Sequence, residues 1–238
     1  MARALSKCGY CSRSRARELV SSGSVRVNGR VIRDPEQRVR VGRDAIEVDG
    51  KKIQAATKIY LMVNKPRGIV TTAEDERGRA TVYSLLPDDL PWVAPVGRLD
   101  KASEGLLLMT NDSQWGARIA SPDTHVSKTY HVQIAKVAGP ELLQRMMSGV
   151  RGKGGDLLRV KQASVIRLGT KNCWLEILLD EGKNRQIRRL MDELGVEVLR
   201  LIRIAIGPLE LGNLAKGKTR ELTAREVAAF AHTQNLSS

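Results

Sequence analysis

The 238-residue chain is poor in aromatic residues, cysteine and histidine, and it lacks long apolar runs. Aromatic residues make up only 3% of the sequence, so aliphatic side chains must form most of the core. Three cysteines are too few for a disulfide framework. No apolar run approaches the length that crosses a bilayer, and no apolar segment follows the first charges. These absences exclude a membrane-spanning protein and a disulfide-rich secreted one, and they favour a cytosolic location.

A metal site is not expected either. Cys8 and Cys11 form a C-x-x-C pair, but a structural zinc site needs two further ligands at suitable spacing. The third cysteine, Cys173, and the three histidines are scattered along the chain. We therefore interpret Cys8 and Cys11 as small residues at a helix end.

Positive charge is plentiful and unevenly distributed. Lys and Arg number 40 against 26 Asp and Glu, which gives a formal net charge of +14. Residues 1–57 contain 13 basic and 6 acidic residues, so a quarter of the chain carries half of this excess. Dense positive charge favours a polyanionic partner, most often nucleic acid, through phosphate contacts and counterion release. The alternative is a generally basic protein without such a partner.

The N-terminal quarter has the pattern of a small α+β unit. Residues 13–22 predict a helix that Gly23 ends. Asn28-Gly29 between two short β-prone runs predicts a hairpin. A further short strand over residues 45–48 completes the unit.

This pattern resembles the small RNA-binding domain named after ribosomal protein S4. The resemblance implies a helix and its arginines lying against folded RNA. The arginines expected to bind RNA are Arg13, Arg15, Arg17, Arg26 and Arg30. We place this domain at residues 1–54, followed by a linker at 55–58. Such a domain occurs in enzymes and in non-enzymes, so it predicts RNA binding and no chemistry.

From residue 59 to 238 the pattern changes to many strands with interspersed helices, which predicts a mixed α+β domain. Strands are predicted at 59–63, 69–71, 106–109, 129–134, 163–168, 173–179 and 199–206. Helices are predicted at 114–120, 141–147, 184–194 and from a capping box at Thr223 to about Ala231. The segment 84–96 contains three prolines and is predicted to be a loop.

Asp100 is the acid with the most informative surroundings. It follows Arg98 and precedes Gly105 and an apolar run over 106–109 that predicts a buried strand. Asp100 is therefore expected in a loop at the edge of the core, where a fold can present one carboxylate in a cleft. From the pattern alone, an ordinary turn aspartate is the alternative.

The predicted helix 184–194 has one apolar face and several arginines. Its buried stripe consists of Ile187, Leu190, Met191 and Leu194. Arg185 and Arg189 fall opposite this stripe, where they can meet solvent or phosphate. Arg188 falls on the shoulder, from which its guanidinium can reach a cleft and pair with an anion. Surface solubility is the alternative role for these arginines.

Four motifs, in order behind the S4-like domain, carry a specific resemblance. They are Lys65-Pro66-Arg67-Gly68, residues 97–112 around Asp100, Lys128-Thr129-Tyr130, and residues 181–189. This order is similar to that of the pseudouridine synthases of the ribosomal small-subunit and large-subunit type. The resemblance covers nearly the whole chain. It implies a mostly antiparallel sheet with flanking helices in the catalytic domain.

The resemblance also implies roles for particular residues. Asp100 matches the catalytic aspartate, Tyr130 the aromatic residue that stacks on the flipped uracil, and Arg188 the basic partner of the aspartate. Ile187, or Leu179 nearby, would line the pocket. The further residues expected to bind substrate are Arg98, Lys65, Arg185 and Arg189.

The implied reaction converts a uridine of ribosomal RNA to pseudouridine, and large-subunit RNA is the favoured target. The reaction is a redox-neutral isomerisation, so no cofactor is expected. The expected partner is ribosomal RNA or a pre-ribosomal particle, bound by a monomer. The target base must leave its stack, a cost that stacking on an aromatic side chain partly offsets. Asp100 could attack the uracil ring, attack the ribose C1′ or promote elimination across the sugar.

Two other functions remain open at this point. A non-catalytic RNA-binding or ribosome-assembly protein explains the charge and the S4-like domain, but it has no need of Asp100, Arg188 and Tyr130 together. An RNA glycosidase with paired carboxylates needs a second placed acid, for which Glu104 is the nearest candidate.

Overall fold

The computed structural model describes residues 1–73, 75 and 78–230. A small α+β unit comes first in the chain and a larger mixed α+β domain follows. The elements of the first unit are α1 (Ala2–Lys7), α2 (Arg13–Ser22), β1 (Val25–Val27), β2 (Arg30–Ile32), β3 (Ile46–Val48) and β4 (Lys51–Ile53). The four strands form one antiparallel sheet in the order β2-β1-β3-β4.

Local sequence explains how the elements of the N-terminal unit begin and end. The Ser12 side chain caps α2 by accepting a hydrogen bond of 3.1 Å from the Arg15 backbone N–H. Gly23 ends the helix in the left-handed conformation, at φ 83°. Asn28 and Gly29 also have positive φ, the geometry that two-residue hairpins favour. The predicted helix and hairpin are confirmed, and β4 is an additional strand.

The larger domain is built on a nine-stranded sheet. Its first elements are β5 (Tyr60–Lys65), a 3₁₀ turn (Val82–Leu85), β6 (Ala94–Val96), β7 (Glu104–Thr110), α3 (Ser113–Ala120), a second 3₁₀ turn (Pro122–Thr124), β8 (Lys128–Ile134) and α4 (Pro140–Ser148). Its later elements are β9 (Val150–Arg151), β10 (Leu157–Leu158), β11 (Gln162–Leu168), β12 (Cys173–Leu179), α5 (Gln186–Glu193), β13 (Val198–Ile206), β14 (Leu209–Glu210), β15 (Thr219–Glu221) and α6 (Ala224–Ala229). Among the described residues, no helix has the length and apolarity to cross a membrane.

The sheet is mixed but mostly antiparallel. Its strand order is β11-β12-β8-β13-β7-β5-β15, with β14 beside β13 and β6 beside β7. Among its described strand pairs, only β13 and β7 run parallel. The predicted α+β class with a mostly antiparallel sheet is therefore confirmed.

Four predicted segments differ from the structure. Residues 69–71 form only an isolated bridge, between Val70 and Thr81. The segment 84–96 is not all loop, because β6 pairs with β7 at its end; Pro95 is tolerated in this three-residue strand, which pairs with β7 alone. Helix α5 starts two residues later than predicted. Helix α6 has its capping box but ends at Ala229, and residue 231 lies outside the described residues.

Strand β7 is the most deeply buried element of the domain, since all seven of its residues are buried. Its neighbours β5 and β13 cover its edges, and apolar clusters cover both of its faces. The Asp100 loop immediately precedes this strand. The loop is therefore attached to a fully buried strand, as the apolar run in the sequence predicted.

The N-terminal unit packs against the larger domain through backbone hydrogen bonds. The Trp92 N–H donates to the Gly9 carbonyl at 2.8 Å, and the Ala56 N–H donates to the Cys8 carbonyl at 3.1 Å. The expected linker at 55–58 thus lies against the end of α1. Cys8 is the C-cap of that helix, which confirms its interpretation as a small residue at a helix end.

Candidate active site

A cavity of about 370 Å³ opens between the Asp100 loop, β8, β13 and the start of α5. The residues predicted for catalysis and substrate binding that line it are Arg98, Asp100, Tyr130, Leu179, Arg185, Ile187 and Arg188. They come from four separate stretches of the chain. Lys65 and Arg189 were predicted with them but do not line this cavity.

The cavity is strongly positive. On its described walls Asp100 is the only acidic residue. The basic residues on the same walls are Arg98, Lys128, Lys183, Arg185, Arg188 and Arg203. Such a cavity attracts a polyanion and surrounds a single carboxylate with charge of the opposite sign.

The loop that carries Asp100 is held at every backbone carbonyl from Leu99 to Ser103. The donors are Thr71 Oγ1 to Leu99 (2.7 Å), Lys65 Nζ to Asp100 (3.1 Å), the Gly68 N–H to Lys101 (2.8 Å), Arg188 Nη2 to Ala102 (3.0 Å) and Lys65 Nζ to Ser103 (2.7 Å). The Asp100 side chain itself is 35% exposed. A rigid loop thus presents one accessible carboxylate, which is the arrangement that a reaction with strict geometry requires.

Lys65 contacts this loop from the protein interior and does not line the cavity. It is completely buried, and its ammonium donates to the carbonyls of Pro66 (3.0 Å), Asp100 and Ser103. Burial lowers the pKa of Lys65 to about 8, although Glu104 and Asp100 oppose that shift. All three N–H donors have carbonyl partners, so none is left for a substrate. The expected substrate-binding role is therefore replaced by anchoring of the loop.

Asp100 pairs with Arg185 and not with Arg188. Arg185 Nη1 lies 3.5 Å from Asp100 Oδ2. Because Arg185 has left-handed backbone geometry (φ 48°) just before α5 begins, its side chain reaches the cavity instead of the solvent opposite the apolar stripe. Arg188 donates to the Ala102 carbonyl, and its buried Nε has no hydrogen-bond partner among the described residues. Burial lowers the pKa of Arg188; Arg185 adds to this effect and Asp100 opposes it.

Tyr130 provides the aromatic surface of the cavity. It lies on β8, half-buried, while Val132 and Ile134 on the same face of that strand belong to the core. Leu179 and Ile187 are both buried and line the cavity. One aromatic ring and two aliphatic walls suit a planar base.

Comparison with known proteins identifies the family of this fold and site. Residues 59–193 match the family model for RNA pseudouridylate synthase, and residues 3–46 match that for the S4 domain. The chain is 35% identical to ribosomal large subunit pseudouridine synthase B of Bacillus subtilis (strain 168), over 94% of this chain and 91% of that protein. An uncharacterized RNA pseudouridine synthase of Aquifex aeolicus (strain VF5) is 38% identical, over 94% and 90% of the two chains. The chain belongs to the RNA pseudouridine synthase family.

A crystal structure of a pseudouridylate synthase has the same fold. The TM-score is 0.67 at 28% sequence identity, and the match covers 96% of this chain and 98% of that one. The resemblance inferred from the sequence motifs is thereby confirmed for the family, the fold and the class of enzyme. The non-catalytic alternative is set aside.

Glu104 does not place a second acid in the cavity of this synthase. Its side chain is 4% exposed and is bound by Arg200 at 3.2 Å and by Lys216. Burial acts to raise the pKa of Glu104, but hydrogen bonds from Lys216 and Arg200 outweigh it and keep the pKa below its usual value. Glu104 is also absent from the described cavity walls. The described cavity walls therefore lack the second carboxylate that a glycosidase needs.

Arg189 lies on α5 but is directed away from the cavity of the synthase. Its guanidinium pairs with Asp156, on the turn between β9 and β10. The sequence predicted that Arg189 lies opposite the apolar stripe of its helix, and this placement agrees with that prediction. The side chain is engaged in an ion pair, however, where a free phosphate contact was expected.

The five arginines predicted to bind RNA are all exposed on the S4 domain of the synthase. Arg15 pairs with Glu18 at 2.8 Å and Arg17 with Glu36 at 3.3 Å. Arg13 lines a second cavity, of about 270 Å³, at the junction with the larger domain. Their contact with RNA remains a prediction.

Among the cavity residues that received no role from the sequence, Lys128 and Arg203 are the least exposed cations. Lys128 belongs to one of the recognised motifs, and burial lowers its pKa to about 8, with Arg203 adding to the effect and Asp180 opposing it. Arg203 interrupts the apolar pattern of β13 and is only 5% exposed. A charged residue on the inward face of an otherwise apolar strand is the signal that could have identified it.

Proposed function

We propose that this synthase converts one uridine of ribosomal RNA to pseudouridine, with Asp100 as the catalytic carboxylate and Tyr130 as the stacking surface for the flipped base. The observation that carries this proposal is one accessible carboxylate on a loop whose five carbonyls all accept hydrogen bonds, in a cation-rich cavity beside an aromatic ring. The Bacillus subtilis relative, named for the large ribosomal subunit, supports large-subunit RNA as the target. We further propose that the enzyme acts as a cytosolic monomer on ribosomal RNA or a pre-ribosomal particle.

The chemistry needs no group from outside the protein and the RNA. The bond between ribose C1′ and uracil N1 breaks, the base turns, and a bond forms between C1′ and C5. The C5 proton leaves and N1 takes up a proton, so the product is an isomer of the substrate. Attack on the uracil ring, attack on C1′ and elimination across the sugar all use a carboxylate at the position of Asp100. Expelling water from the cavity strengthens the electrostatic interactions around it.

Mapping of pseudouridines in both ribosomal RNAs, from cells with and without the gene, tests this function. We expect one defined site in large-subunit RNA to disappear with the gene. The wild-type gene should restore it, and a gene that encodes Asp100→Asn should not. Loss of a small-subunit site instead would refute the choice of subunit. Unchanged maps of both RNAs would refute ribosomal RNA as the substrate.

The S4 domain is expected to bind RNA mainly through phosphate contacts. We expect the triple variant Arg15→Gln/Arg17→Gln/Arg26→Gln to bind ribosomal RNA more weakly and with a flatter dependence on salt. Each lost phosphate contact should reduce the log–log salt slope by about 0.7 to 0.9. Affinity measured across a salt series tests this.

The matched control removes three exposed cations from the larger domain, as Lys161→Gln/Lys171→Gln/Arg225→Gln. Its net charge equals that of the triple S4-domain variant. If both variants lost affinity and salt slope equally, total charge, and not the arginines of the S4 domain, would determine RNA binding.

A further inference from the structure

Arg203 is an arginine whose charge has no counterpart within the described protein. Its exposed fraction is 5%, and no acidic group among the described residues forms an ion pair with it. Its Nε donates to the Leu106 carbonyl at 2.7 Å, which fixes the guanidinium against β7. Its Nη2 is buried and has no hydrogen-bond partner in the part of the chain that the structure describes. An unpaired donor on a buried cation is costly, which suggests that a ligand completes it.

The position of Arg203 indicates which part of an RNA could reach it. On β13 it lies directly opposite Tyr130 of β8, so the two side chains are neighbours on one face of the sheet. Both line the cavity. A base stacked on Tyr130 would therefore bring its edge to the guanidinium of Arg203.

A glycine lets the backbone of β13 lie close to β7, the strand that follows the Asp100 loop. Gly105 has a φ of +102°, and a Cβ there would lie 2.2 Å from the Arg203 carbonyl oxygen. This close approach is part of the parallel pairing of β13 with β7. It places Arg203 beside the strand that immediately follows the Asp100 loop.

The phosphates of a bound RNA can pair with other cations of the cavity, which lie nearer to the solvent than Arg203. Arg98 and Lys183 line the same cavity and are exposed at its rim. The ribose–phosphate chain of an RNA would remain at that rim while the flipped base enters. The group that reaches a buried arginine is therefore the base, and the acceptors on a uracil are its two carbonyl oxygens.

We infer that Arg203 binds a carbonyl oxygen of the target uracil, with Nη2 as the donor. This inference rests on the proposed base-flipping function and adds a substrate-binding residue to it. In each route of the reaction, negative charge develops on the uracil ring and is shared by its carbonyl oxygens. A guanidinium already in place stabilises that charge as it forms. A contact at O4 would also reject cytidine, which has an amino donor at that position.

The test combines Arg203→Gln and Arg203→Met with single-atom changes in the RNA. The substrate is a ribosomal RNA fragment that carries the mapped uridine, either unmodified or with sulfur replacing O2 or O4 of that uracil alone. With unmodified RNA, we expect Arg203→Gln to lower the single-turnover rate by about 100-fold. Sulfur at the contacted position should slow the wild-type enzyme about tenfold and Arg203→Gln less than twofold, because coupled changes are not additive.

Arg167→Gln is the matched control, since it removes an exposed arginine from edge strand β11 of the same sheet. It should keep the wild-type rate and the wild-type response to sulfur. The sulfur response compares two RNAs with one variant, so it is independent of any loss of stability caused by breaking the bond to Leu106. If Arg203→Gln fails to fold, Arg203→Met provides the same comparison, because a methionine side chain has no hydrogen-bond donor.

Equal sulfur effects in the wild type and in the Arg203 variant, at both O2 and O4, would overturn the inference. A wild-type rate in Arg203→Gln would also overturn it. Conversion of the unmodified fragment by the wild-type enzyme tests the proposed function separately. If the wild-type enzyme does not convert this fragment, the proposed substrate is refuted. If it converts the fragment but the sulfur effects are equal, only the role of Arg203 is refuted.

Discussion

The Asp100→Asn enzyme is expected to form pseudouridine about 10⁴-fold more slowly than the wild type, with RNA affinity changed less than about threefold. Asparagine has nearly the same size as aspartate and can occupy the same loop position. Its amide, however, is neither a nucleophile nor a base of useful strength. Single-turnover assays measure the rate, and RNA titration measures the affinity. Five loop carbonyls are held by groups other than the Asp100 side chain, so the loop should keep its conformation.

Asp88→Asn is the control for this substitution, because Asp88 is exposed and does not line the cavity. It makes the same chemical change elsewhere on the domain, and the rate should be unchanged. If Asp100→Asn retained more than a tenth of the wild-type rate, Asp100 would not be the catalytic carboxylate. A large loss of RNA affinity without a loss of rate would assign it to binding.

The second large effect is expected for Lys65→Met, which keeps the side-chain length and removes the ammonium. Three carbonyls around the Asp100 loop would lose their donor, and we expect the free energy of unfolding to fall by about 2 kcal/mol. The carboxylate would then be less precisely placed, so kcat should fall about 100-fold. KM should change little, because Lys65 lies outside the described cavity walls. Chemical denaturation and steady-state kinetics give these quantities.

Lys161→Met is the matched control, since Lys161 is exposed. Both its stability and its kcat should match the wild type. A raised KM with an unchanged kcat in Lys65→Met would return Lys65 to the substrate-binding role that its motif first suggested. Unchanged stability would show that its three hydrogen bonds do not hold the loop.

The secondary structure was predictable where the local pattern is strong. The alternation over 173–179 matches β12 at both ends, and the capping box at Thr223 begins α6. The two-residue strands β9, β10 and β14 were not predicted, because two residues carry no periodicity. Strand β6 was missed because the three prolines of the segment 84–96 indicate a loop, and only its pairing with β7 makes it a strand.

The candidate site was predictable in its composition more than in its contacts. Asp100 and Tyr130 lie in motifs that the sequence displays, and both line the cavity. The partner of Asp100 could not be read from a helical wheel, because Arg185 precedes α5 and has left-handed geometry. Arg203 lies outside the four motifs. Its position opposite Tyr130 depends on the pairing of β13 with β8, which the sequence does not display.

The sequence by itself determined the family and the order of the S4 and synthase segments, and it predicted a polyanionic partner and Asp100 as the catalytic acid. These follow from motifs, charge and periodicity, which are local properties of the chain. Only the tertiary structure decided that Lys65 is an anchor, that Arg185 pairs with Asp100 and that Arg203 faces the cavity without an acidic partner among the described residues. The reason is physical: burial and hydrogen-bond partners come from strands and loops distant in sequence, so the same residue type can bind a carbonyl, a carboxylate or a substrate.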